Sequence, residues 1–226
     1  MGQRTLVAHQ PTYLPYLGLL HKVSRADVFV VQDDLRYVKD EVSNRNRIAS
    51  GDSWKWLTIP VHQRDGSTYT TVMPANAGWD DQHRRILEAA YRHAPYVDRL
   101  QELYELNATF AGETLATINL ATIRWMITLF EIDVELVVQS ELSTPGFDDP
   151  NDRLLWLSAT HRCERYLSGA GGLAYIEPAQ WSQAFIELSF SDFEPALYDR
   201  GSLPWVPYLS AVDAIAYVED LPSLLR

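Results

Sequence analysis

One cysteine, Cys163, stands in a chain of 226 residues, which excludes an internal disulfide and any multi-cysteine metal site. A lone thiol reads first as a small hydrophobe at a helix end, with a catalytic thiol as the alternative. Bases are scarce beside acids, 19 against 30, for a formal net charge of −11. Such a surface repels phosphate backbones and anionic membranes, which excludes non-specific binding to either. A local basic cluster can still hold one small anion. Long hydrophobic runs are missing as well: none approaches the roughly 20 residues that cross a bilayer. The start, MGQRTLVAHQP, is too short in its apolar part for a secretory signal. Gly2 invites myristoylation, but Leu6 and Val7 are not the Ser or Thr that the motif wants. A cytoplasmic protein with no membrane attachment is expected. There is no internal repeat, no Walker loop, no GxGxxG and no GxSxG elbow. His62, His83, His93 and His161 lack metal-ligand spacing.

What is present reads as alternating elements. TLVAHQP predicts a short buried strand, PYLGLLHKVSRA a helix, and DVFVVQDD a second strand with a fully apolar middle. Strand, helix, strand in this order is a βαβ unit. The segment LRYVKDEVSNRNRIASG has no apolar period and reads as a long polar loop. WKWLTIPVH resumes as a strand with Trp54, Trp56 and Thr58 on one face, and TYTTVMPA reads as another, joined through residues 66–68. Residues 79–131 predict three helices, broken at Pro95. DVELVVQSEL, RYLSG and QAFIELSFSDFEP predict strands, with a helix from Pro150 between the first two and a last short helix in the tail. The expected fold is one α/β domain over residues 1–226: a mostly parallel open sheet with flanking helices and a helical insert at about 79–131.

In open parallel sheets, ligands bind beyond the carboxyl ends of the strands. His9-Gln10 leaves the first strand, Gln32-Asp33-Asp34 the second, and Ser168-Gly169 a later one. Neighbouring strands would bring all three to one rim, with Pro11 and Pro15 stiffening the turn that aims His9. His9 is either a satisfied core histidine or a proton acceptor. Asp33 and Asp34 either cap a turn or serve as proton acceptors or Mg²⁺ ligands. In NRNRI, extended backbone puts Asn44 and Asn46 on one side and Arg45 and Arg47 on the other. The arginine forks suit phosphate or carboxylate, and Lys39 and Lys55 flank them. YLSGAGGLAY holds Gly169, Gly171 and Gly172, which are a tight turn or a place where backbone amides meet an anion. Arg124 inside an apolar helix needs a buried partner or reaches the surface by its stem.

The stretch HQPTYLPYLGLLHKVSRADVFVVQDDLRYVKDEVSNRNRI resembles the opening of the WbqC-like family, and WKWLTIPV, AAYRHAPY, YLSGAGGLAY and WVPYLSAVDAI carry the likeness to the tail. Ser43 and Tyr208 depart from it, the latter where asparagine is usual. The start is also similar to nucleotidyltransferase-type, Rossmann-like α/β folds, without their paired histidines: Pro15 and Gly18 stand at the nearest equivalents. The family resemblance implies an enzyme of polysaccharide or specialised-metabolite biosynthesis. It would attach an acyl or aminoacyl group to the amine of a small molecule such as an amino sugar. A thioester, a carrier protein, aminoacyl-tRNA or ATP with Mg²⁺ would activate the donor. The matching residues give His9 as base, Gln10 and the Ser168-Gly169 amides as oxyanion donors, and Asp33 or Asp34 as orienting or Mg²⁺-binding acids. Arg45, Arg47 and Lys39 would hold the donor's anion. Lys22, Tyr37, Asn44, Asn46, Lys55, Gly172 and Tyr175 complete the expected binding set. The alternative is a non-catalytic binder of a nucleotide-linked sugar or carrier-bound intermediate.

Overall fold

β1 (Thr5–His9) and β2 (Val28–Val31) are buried on both faces, which only a central strand of a covered sheet requires. α1 (Leu17–Ser24) crosses between them. In this computed structural model, which describes residues 3–39 and 41–226, Gly2 and the Asp40 of the polar segment lie outside the described residues. The sheet adds β7 (Glu135–Val138), β8 (Arg165–Ser168) and β9 (Glu187–Phe190), in the order β7-β2-β1-β8-β9. Every pairing is parallel, so the strands end at one rim. Register sorts the two faces: His9 lies beside Val31 and Leu6 beside Tyr166. Leu6, Ala8, Val28, Val30 and Tyr166 pack against α5 (Pro150–Thr160). Val7, Phe29, Val31 and Leu167 pack against α1 and Ile123.

The polar segment ends sooner than its composition predicts. Arg45–Ser50 is a strand, β3, paired antiparallel with β4 (Ser53–Thr58). Gly51, at φ +58, takes the left-handed turn position of this hairpin. A polar run does not forbid a strand, because β3 buries the alternate residues Asn46 and Ile48, with Ala49 beside them, and leaves the arginines half-buried. TYTTVMPA forms a strand only at Met73–Pro74 (β6), opposite Val61–His62 (β5). The threonines before it bond one another instead, Thr68 Oγ1 meeting Thr70 Oγ1 at 2.8 Å, so a loop replaces the expected strand.

α2 (Trp79–Tyr91), α3 (Leu100–Phe110) and α4 (Leu115–Leu129) fill the helical stretch. Their apolar residues share one core with Ile48, Leu57 and Ile215 of α7 (Val212–Tyr217). α6 (Pro178–Gln183) links β8 to β9. No helix of the described residues is long and apolar enough to cross a membrane. Arg124 is exposed and Cys163 is buried, with burial pushing its thiol up to about 11. That favours the bland reading of both.

The turn after β1 is held by side chains from distant elements. α1 starts at Leu17, after Tyr16, so Pro15 precedes the helix rather than opening it. Leu14 sits at φ +45, a left-handed backbone that costs a residue with a Cβ. Asn46 Nδ2 donates to the carbonyls of Tyr13 (3.2 Å) and Leu14 (2.8 Å), and Asn119 Nδ2 to those of Pro11 (3.1 Å) and Ser43 (2.7 Å). From the tail, the amide of Ala211 donates to Pro15 O and that of Ser210 to Arg47 O. Asn46→Ala strips two buried carbonyls of their donor. Urea unfolding should show a loss of about 2–4 kcal/mol, whereas a change within about 0.5 kcal/mol would mean that Asn46 does not hold the turn.

Candidate functional site

At the rim, the α5 side of the sheet opens into a cavity of about 630 Å³. Ala8, Gln10, Gln32 and Ser168 reach it from one face of their strands, because period-two alternation sends every second residue there. His9, Lys22, Gly169, Gly172 and Tyr175 also line it. The rim thus brings together the histidine-glutamine step and the glycine turn.

Within it, His9 Nδ1 lies 2.8 Å from the carbonyl oxygen of Gln10. That carbonyl can only accept, so Nδ1 carries the proton and Nε2 presents its lone pair. Desolvation, together with the charge of Lys22, lowers the His9 pKa to about 3, and the ring is neutral at pH 7. Gln10 Oε1 accepts from Tyr69 Oη at 3.2 Å, which turns its NH₂ donor away from that contact. Lys22 is 4 % exposed, and its Nζ makes no hydrogen bond or ion pair among the described residues. Burial brings its pKa down to about 8. Gly172 has no room for a side chain: a Cβ there would lie 2.0 Å from Ser168 Oγ.

Other expected members lie elsewhere. Asp33 falls on the opposite face of the sheet and accepts from Ser140 N (2.9 Å) and Oγ (2.6 Å). Asp34 accepts from Gln139 Nε2, and Gln139 Oε1 takes a bond of 3.0 Å from Gln32, so Asp34 meets the cavity only through others. Neither orients His9. Among the described residues no three His, Cys, Asp or Glu side chains gather as a metal site. The asparagines of NRN turn inward to backbone: Asn46 as above, Asn44 through Nδ2 to Ile59 O at 2.8 Å. Arg45 stacks 4.4 Å over Trp56, and Arg47 4.5 Å over Trp54, on the outer face of the hairpin. Tyr37, Lys39, Asn44 and Arg45 line a separate cleft of about 320 Å³. Lys55 pairs with Ile48, on the other face from both arginines. Arg45 and Arg47 thus stay together over Trp56, with Lys39 beside Arg45, while Lys55 lies on the other face.

Sequence reasoning brought Gln32 to the rim without a role, and strand parity, two residues beyond Val30, turns it into the cavity. It missed Arg36, Glu41 and Arg153 as lining residues. These come from a loop and from the first turn of α5, with no local signal. A larger cavity of about 680 Å³ lies between α3, α4 and the Val31 side of the rim. Of its three carboxylates Asp33 is taken by Ser140 and Glu102 by Trp125 Nε1, leaving Glu141. It holds no histidine or lysine, so the smaller cavity with His9 and Lys22 is the candidate site.

Two comparisons bear on the chain. A model described as the WbqC-like protein family matches residues 10–220. An uncharacterized protein of Mycobacterium tuberculosis (strain ATCC 25618 / H37Rv), Rv1507c, is 23% identical over 192 residues, which is 82% of this chain and 80% of that protein.

Gly172→Ala forces Cβ into Ser168 Oγ and should lower stability by about 1–3 kcal/mol in denaturant unfolding. Ser168→Gly in the same chain should restore most of it, and absence of rescue would refute the clash. His9 also sets an acid response. Its folded pKa lies below the unfolded value near 6.5, so the unfolded chain binds more protons between about 3 and 6.5, and stability falls as pH drops through that window. Between pH 7 and 5 the parent should lose about 1–2 kcal/mol more than His9→Gln, and equal losses would contradict a buried neutral ring.

Proposed function

The chain belongs to the WbqC-like protein family, and on that footing we propose an enzyme that transfers an acyl or aminoacyl group to the amine of a small molecule. The observation that carries this reading is the free Nε2 of His9 beside the Gln10 amide and the glycine turn in one cavity.

The chemistry is assigned as follows. An attacking amine must lose an N–H proton as the new C–N bond forms, and the neutral imidazole of His9, held by its Nδ1–H, is the proposed acceptor. Burial and the Lys22 charge keep it a weak base until a bound anion offsets that charge. The carbonyl oxygen gains negative charge at the same moment. The Gln10 NH₂ and the backbone amides of Ser168 and Gly169 are the proposed donors to it. When the bond to the leaving group breaks, His9 returns the proton to that group, whether it is a thiol or a tRNA hydroxyl. For a donor activated through ATP the leaving group is a phosphate, which departs without needing the proton. Amino sugars and specialised-metabolite intermediates are the proposed acceptors.

A binder without turnover, for a nucleotide-linked sugar or carrier-bound intermediate, is the second reading. It is favoured by one observation: no carboxylate of the described residues is hydrogen-bonded to His9.

A mass-spectrometric screen of amines with acyl thioesters, aminoacyl-tRNA, or ATP and free acids should yield an amide product. With that substrate pair, His9→Ala should reduce kcat by about 10²–10⁴-fold while ligand binding persists. Full turnover by the variant would remove His9 from the chemistry, and intact function of the variant in a pathway assay would favour the binder.

A further inference from the structure

We propose that Lys22 is the anchor of an anionic oxygen group, a phosphate or carboxylate borne by the molecule that enters the rim cavity. The inference rests on the reading of this cavity as the substrate site and narrows the substrate to one with such a group.

An ammonium that is taken from water and left without a counter-ion is expensive, and a fold keeps one where a ligand supplies the missing charge. Lys22 is such a group. It comes from α1 into the cavity, 4 % exposed, and its Nζ has no hydrogen bond or ion pair among the described residues. Its Nζ lies 3.6 Å from where a Cβ on Gly169 would stand, so it borders the glycine turn. The neighbouring charges do not neutralise it. Arg36 is paired with Asp65, and Arg153 on α5 acts on the carboxylate of Asp34. Glu41, from the loop, is exposed and makes no ion pair with Lys22. His9, on β1, is neutral. Lys22 is therefore the buried cation of this cavity, without an ion-pair partner among the described residues, within a chain of net charge −11. Ligand capture here is a local effect of burial and not of the overall field.

Isothermal titration of the full chain with inorganic phosphate, and separately with acetate, tests this at pH 6.5. At least one anion should bind with a Kd in the millimolar range. Lys22→Met and Lys22→Gln should each weaken it by about tenfold or more. Stronger binding of phosphate assigns a phosphate-bearing substrate, and stronger binding of acetate a carboxylate. At pH 9.5, above the folded pKa of about 8, affinity in the parent should fall by about tenfold. Without ligand, Lys22→Met should raise the thermal midpoint, because it removes an uncompensated charge. Binding of neither anion, undiminished binding in both variants, unchanged affinity at pH 9.5 or a lowered midpoint would overturn the proposal. His9→Ala separates it from the functional reading, since it should retain anion binding. Lys22-dependent binding without any acyl transfer would leave this inference standing and end the other.

Discussion

Everything at the rim depends on one constraint: a turn that leaves a buried strand must find donors for its carbonyls. Pro11, Tyr13 and Leu14 cannot turn theirs to bulk water. Two buried asparagines, Asn46 from the hairpin and Asn119 from α4, supply the N–H groups. Their reach fixes a backbone that includes a left-handed leucine. The same turn sets where His9 and Gln10 point. Packing of the hairpin and of α4 is therefore coupled directly to the direction of the His9 ring.

Polarity is segregated by strand parity. On β3 the asparagines face inward and bond backbone, while the arginines lie outward over Trp54 and Trp56. On β2 the alternation separates Gln32, which joins the candidate site, from Asp33, which turns to Ser140. Adjacent polar residues of one motif thus serve different faces. A motif is a string, but a strand divides it in two.

Much of the fold was legible. Apolar runs announced β1 and β2, Pro150 marked the start of α5, and the carboxyl-end rule placed His9, Gln10 and Ser168 at one rim. Three things were not legible. β3 hides in a polar run because its buried half is amide and isoleucine, and hydropathy does not register a satisfied asparagine. The division of the arginines from His9 depends on the hairpin's position against the tail, a long-range fact. The isolation of Lys22 is the absence of a partner, which no local pattern can encode. Tyr208 is explained only by backbone: it sits at φ +58, a conformation that asparagine adopts more readily than tyrosine.

The clasp between the tail and the β1 turn also fixes a schedule. The amide of Ala211 closes on Pro15, and that of Ser210 on Arg47. Translation proceeds from the N-terminus, so the strands and α1 can pair on the ribosome well before those amides exist. The histidine-bearing bend is then among the first segments made and among the last to be locked. A released chain ending before residue 210 would hold every strand of the parallel sheet and lack the clasp on the pocket mouth.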